Sequence, residues 1–94
     1  MEEKNISDLS IKVEIITPED IFTFSDVYMA VMPGSEGEFG VLPGHMSLIA
    51  TLDFGEISIY DKSMKIIKRV TINAGIADIN ATSVLILTDQ AIIL

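Results

Sequence analysis

The chain has 94 residues, 49% of them apolar, with 14 acidic against six basic side chains and neither tryptophan nor cysteine. Such a chain is one domain with an aliphatic core, too apolar for a disordered segment and too short for two domains. Its net charge of −8 opposes nucleic acid and anionic bilayer surfaces, which bind through Lys and Arg neutralising phosphate.

The acidic surplus serves solubility or meets a basic partner. Lack of cysteine favours a reducing compartment and removes any thiol nucleophile.

Residues 1–8 form a polar lead without the basic flank and apolar run of a signal peptide. Residues 9–94 make the single domain. In residues 9–17, Leu9, Ile11, Val13 and Ile15 share one face and Ser10, Lys12 and Glu14 the other, the period of a half-buried strand. Pro18-Glu19-Asp20 is a turn. Residues 21–24 form a short apolar piece that Ser25-Asp26 breaks. Residues 27–32 are apolar throughout, and the flanking Asp26 and Pro33 favour a strand covered on both sides over a buried helix.

Residues 33–45 hold four of the six glycines, two of the three prolines, Glu36, Glu38 and the only histidine. Glycine permits positive φ and close backbone approach, and proline fixes φ, so this stretch is expected as a shaped loop. Residues 46–52 form another apolar run. The longest uncharged stretch, residues 39–52, contains Pro43 and two glycines and is too short to span a bilayer. Residues 57–60 and 64–74 form a hairpin around Asp61-Lys62-Ser63, its second arm carrying Lys65, Lys68 and Arg69. Gly75 is expected as a bulge or close-packing point. Residues 76–79 and 83–88 form a second hairpin. Residues 84–88 are apolar on both faces, which places that strand centrally with both faces covered. Eight or more short strands with turn signals between them predict an all-β sandwich or barrel.

His45 has no companions at metal-ligand spacing, so backbone bonding or a contact role is expected of it rather than metal binding. Ser35, Ser47 and several aspartates lack a nucleophile-elbow pattern. The glycines fail as a phosphate cradle because Glu36 and Glu38 lie among them and no Lys-Ser/Thr pair follows Gly44. Two residues apart, Glu36 and Glu38 fit exposed contact carboxylates better than a general acid/base pair. Lys65, Lys68 and Arg69 form a small basic patch on an expected solvated face.

The order Gly34-Ser-Glu-Gly37-Glu38-Phe-Gly40-Val-Leu-Pro43-Gly44-His45 resembles the signature loop of the epsilon subunit of F-type ATP synthase, called delta in mitochondria. Leu52-Asp-Phe-Gly55-Glu-Ile57, Asn73-Ala-Gly75-Ile-Ala77-Asp-Ile79 and Val84-Leu-Ile-Leu87-Thr-Asp89-Gln-Ala91 agree with that family in order and spacing, from about Leu9 to Ile92. The resemblance implies a ten-stranded β-sandwich of two packed sheets, or flattened barrel, at the foot of the central stalk. Such a domain is non-catalytic and needs no cofactor or metal. It binds the gamma subunit and the polar loops of the c-ring, coupling proton flow to ATP synthesis, and meets the membrane only through the complex. Its implied place is the cytoplasmic face of a bacterial inner membrane or an organellar energy-transducing membrane.

By position, Glu38, with Glu36 and Phe39 beside it, is implied as the c-ring contact, and Thr17, His45 and Ala50 as gamma contacts. Gly34, Gly37, Gly40, Pro43, Gly44 and Gly75 are implied as shaping residues. The family's C-terminal helical hairpin has no counterpart before Leu94, so inhibitory and ATP-binding roles do not carry over. Ala74 stands where the family often has glycine. Two alternatives remain on the residues: a small hydrolase or sugar-binding sandwich using Glu36 and Glu38, and a free-standing adaptor of the same fold.

Overall fold

The computed structural model describes residues 9–94, so the expected polar lead lies outside the described residues. The ten strands are β1 (Ile11–Ile16), β2 (Ile21–Val27), β3 (Met29–Gly34), β4 (Gly37–Val41), β5 (Leu48–Leu52), β6 (Gly55–Tyr60), β7 (Ile66–Ile72), β8 (Gly75–Ile79), β9 (Ser83–Thr88) and β10 (Ala91–Ile93). The described residues contain no helix. Ile- and Val-rich runs of five to seven residues between turns favour this outcome, because branched side chains fit a pleated surface.

Hydrogen bonding runs β10-β7-β6-β3-β5-β8-β9-β1-β2, with β4 also paired to β3. One edge of β3 pairs with β6 through Met29, Ala30 and Val31 and then passes to β5 through Gly34 opposite Leu52. At that transfer the sheet folds over on itself into two layers. Ala30, Met32, Ile57, Ile59, Val70 and Ile72 face inward from one layer, and Val13, Ile15, Ala77, Ile79, Val84 and Ile86 from the other, all essentially inaccessible to solvent. The alternation expected of residues 9–17 and the two expected hairpins are present, and the all-β sandwich is as anticipated.

Several local expectations change. Ser25-Asp26 does not end its strand. β2 continues to Val27 through a bulge, in which the step from Ile11 to Val13 is matched by the longer step from Val27 to Phe24. Asp26 takes φ 56° to make that possible. Residues 33–45 are not mainly loop. β3 runs to Gly34, Ser35-Glu36 form a two-residue turn, and β4 returns to Val41. Between β7 and β8 the chain changes layers at Asn73-Ala74, so Gly75 opens a new strand. It is a close-packing point rather than a bulge. β9 is central in its layer, but only one of its faces is covered. Val84, Ile86 and Thr88 are buried, whereas Leu85 and Leu87 point outward.

Candidate functional site: an acidic hairpin and an apolar row

The hairpin of β3 and β4 is held by backbone geometry. The Ser35 N–H donates to Thr51 O at 3.0 Å and the Asp53 N–H to Pro33 O at 2.9 Å, pinning the turn to the corner between β5 and β6. The Ser35 hydroxyl donates to Asp53 Oδ1 at 3.1 Å. Gly34 packs under the Phe39 ring, where a Cβ would lie 2.8 Å from ring carbons, and Gly37 leaves the turn at φ 127°. Gly40 has only ordinary contacts around its missing Cβ, so its shaping role is weak. Pro43 and Gly44 occupy the centre of a turn closed by His45 N–H to Leu42 O at 3.2 Å, and Gly44 has φ 86°. Proline followed by glycine with positive φ is the type II pattern.

Glu36 and Glu38 are both exposed. Glu38 stands on β4 opposite Pro33, on the outer side of its layer. Phe39 points the other way, opposite Met32 and against the core, and is half-buried, so of the three residues implied for the ring contact the two carboxylates are the exposed ones. Glu36 borders a groove of about 400 Å³ between this turn and β5, floored by Phe39, Leu48 and Ala50, but Glu38 does not. The two carboxylates therefore share no cavity, and a paired acid/base arrangement is not built.

His45 leads into β5, half-buried, with Nδ1 2.7 Å from Met46 O. Facing a carbonyl, Nδ1 carries the proton and donates. Among the described residues no group of three or more His, Cys, Asp or Glu side chains is placed to hold a metal. Thr17 follows β1, and its Oγ1 accepts from the Asp20 N–H at 2.9 Å, fixing the turn into β2. Ala50 lies opposite Ala77, on the inward side of β5. These three residues do not meet one another in a single cluster.

A second feature lies next to Thr17. On the outer face of the other layer, register aligns Thr51, Ile76, Leu87, Ile16 and Ile21 across β5, β8, β9, β1 and β2. At ordinary strand spacing that row is roughly 20 Å long. Ile76 and Leu87 are each 48% exposed and Ile21 66%. Thr17 follows Ile16 in the chain and so lies beside the row, whereas Ala50, though next to Thr51, turns to the inward side. Sequence reasoning missed the row itself. Its signal is the strand apolar on both faces, a pattern that fits a doubly covered strand equally well.

Comparison with known proteins agrees with this architecture. The profile of the ATP synthase delta/epsilon chain β-sandwich domain matches residues 10–93. The ATP synthase epsilon chain of Campylobacter concisus is 50% identical over 80 residues, covering 85% of this chain and 61% of its own length. That of Campylobacter fetus is 42% identical over 83 residues, covering 88% and 64%. The chain thus spans about three-fifths of the curated relatives it matches. Among solved structures, a chain of the Euglena gracilis mitochondrial ATP synthase (OSCP/F1/c-ring) superposes with a TM-score of 0.80 at 24% identity, over 98% of this chain and 57% of that one. A chain of the Tetrahymena thermophila mitochondrial ATP synthase central stalk and c-ring gives 0.73 at 14% identity, over 88% and 66%. These two likenesses concern the fold. The profile match over nearly the whole domain decides the family: the chain belongs to the ATP synthase delta/epsilon chain β-sandwich family.

Proposed function

We propose that this chain is a non-catalytic subunit of the central stalk of a proton-translocating ATP synthase, gripping the gamma subunit and resting on the polar loops of the c-ring. The apolar row Ile21-Ile16-Leu87-Ile76 is the observation that carries this reading. A monomeric domain has no reason to leave such a row of exposed and half-exposed apolar side chains across four strands of one layer, and a permanent partner covers it. Gamma is assigned to that face, with Thr17 beside it and His45 in the loop that leads into β5, whereas Ala50 turns to the inward side. Glu38, with Glu36 beside it, is assigned to the c-ring, where exposed carboxylates meet polar loops and steer docking.

The domain transmits force between these contacts through a sheet that is continuous from β3 into β5. The groove beside Glu36 holds no second carboxylate, which speaks against the hydrolase alternative. The working position is peripheral, at the cytoplasmic face of a bacterial membrane and held there by the complex. Co-expression with the gamma subunit followed by size exclusion tests the reading: co-elution is expected, and separate elution at micromolar concentration would refute it.

A further inference from the structure

The outer face that carries the apolar row has a charge pattern of its own. Two residues away along each strand, register aligns Ile49, Asp78, Leu85, Glu14 and Thr23 across β5, β8, β9, β1 and β2. This second row runs beside the first at about 7 Å, and its two carboxylates stand on either side of Leu85, roughly 10 Å apart. On the opposite side of the apolar row, where β1 and β9 end, Glu19, Asp20 and Asp89 line a cleft of about 330 Å³ with Thr17. The apolar side chains therefore lie between two acidic borders.

Cations are scarce there. Lys12 is the one basic residue on that face among the described residues, with its Nζ 3.7 Å from Glu14 Oε1. Lys62, Lys65, Lys68 and Arg69 belong to the β6–β7 hairpin in the opposite layer, around its tip at Met64. Asp78 is exposed and has no ion-pair partner among the described residues. An aspartate inside a strand costs β propensity. Here it sets an unpaired charge between the exposed Ile49 and the half-buried Leu85, where a turn position would serve solubility without that cost.

We infer that these acidic borders select the partner of this face. The surface of gamma that covers the row presents an apolar strip with Lys or Arg on both flanks, and Asp78 and Glu14 meet the cations of one flank. The inference rests on the assignment of gamma to this face and adds the chemistry by which the two recognise each other. Opposite potentials draw the surfaces together and fix their register, while the apolar row holds them. The same borders disfavour a second copy of this chain, because stacking two such rows sets carboxylates against carboxylates. They disfavour a bilayer surface too, whose anionic headgroups would meet the same carboxylates.

The test is surface plasmon resonance of gamma on the immobilised 94-residue chain. At about 20 mM salt, Asp78→Asn is expected to slow association roughly threefold and Glu14→Gln/Asp78→Asn roughly tenfold, with dissociation changed less than about twofold. The rates are expected to converge with wild type at about 0.5 M salt. Ser63→Lys, which changes net charge as Asp78→Asn does but at the hairpin of the opposite layer, is expected to leave association within about twofold of wild type. Ile76→Thr/Leu87→Thr is expected to show the reverse split, with faster dissociation and nearly unchanged association. If that apolar variant weakens binding while Glu14→Gln/Asp78→Asn associates at the wild-type rate, or no slower than Ser63→Lys, gamma covers the row but the borders do not select it, and this inference alone fails. If the apolar variant binds like wild type, or wild type does not bind, the assignment of gamma to the face fails and this inference with it. Dimerisation of the wild-type chain through this face at micromolar concentration would also overturn it.

Discussion

Gly75 lies directly against the carbonyl of Leu87, with the Thr88 Cβ 3.2 Å from where a Gly75 side chain would begin. The contact is main chain against main chain, so no rotamer change relieves it. It is locked from the other side by the Thr88 hydroxyl, which donates to Ala74 O at 2.5 Å. Together these bonds hold the point where the chain leaves one layer for the other, and they set β8 beside β9 so that Ile76 and Leu87 stand side by side.

Gly75→Ala is therefore expected to cost about 1–3 kcal/mol through overpacking against backbone. Gly40→Ala, whose new methyl group would meet the Met29 and Val31 side chains at ordinary van der Waals distances of 3.6 and 3.7 Å, is expected to stay within about 0.5 kcal/mol of wild type. Urea unfolding midpoints compare the two, and equal midpoints would show that the Leu87 carbonyl moves aside freely.

Met64→Gly is expected to stabilise the isolated domain by about 1 kcal/mol, by removing a left-handed non-glycine residue. Thermal unfolding measures it. A lower midpoint would mean that the methionine side chain holds the tip in place.

These two positions also mark the limits of what the sequence discloses. The strands were legible wherever apolar and polar residues alternated, as in Ile11, Val13 and Ile15, because one pleated face must be buried. Ser25-Asp26 reads as a break but is not one, because a bulge absorbs polar residues without ending the pairing. The layer change at Asn73-Ala74 was hidden because Gly75 fits a bulge as readily as a close contact. The carboxylates of the acidic hairpin were readable as exposed, but the inward turn of Phe39 depends on the period set by Val41 and Met32. The apolar row left only an ambiguous local mark, the strand apolar on both faces. It exists only when five strands are aligned in register, and an apolar residue carries no mark of whether its neighbours or a partner will cover it.

Glu56 and Arg69 form a two-pronged pair, Nε to Oε1 at 2.6 Å and a terminal nitrogen to Oε2 at 3.0 Å. The hydrogen bond from Arg69 holds the Glu56 carboxyl below its ordinary range, and the same bond raises Arg69. With its folded pKa depressed, Glu56 contributes stability above the ordinary carboxylate range, and the contribution is lost as pH falls through the folded pKa. Arg69, shifted upward, stays charged throughout that window. Glu56→Gln is expected to lower stability at neutral and alkaline pH and to converge with wild type in acid, so that the acid limb of the stability–pH curve flattens. An unchanged acid limb would remove the pair from the pH response.

Glu38→Lys reverses the charge of an exposed side chain on β4 without touching the core, so folding is expected to stay within about 0.5 kcal/mol of wild type. Attachment to the c-ring is expected to weaken roughly tenfold, measured by binding the gamma complex to detergent-solubilised rings. Attachment as tight as wild type would release Glu38 from that contact.

The most direct measurement is calorimetric titration of gamma subunit into the wild-type chain and into Ile76→Thr/Leu87→Thr, a pair that places strand-favouring β-branched residues at both positions while cutting apolar area from the row. Binding to wild type is expected to be tight and binding to the variant weaker by roughly tenfold or more, with both proteins equally folded. Equal affinity for the two would contradict the assignment of that face to gamma.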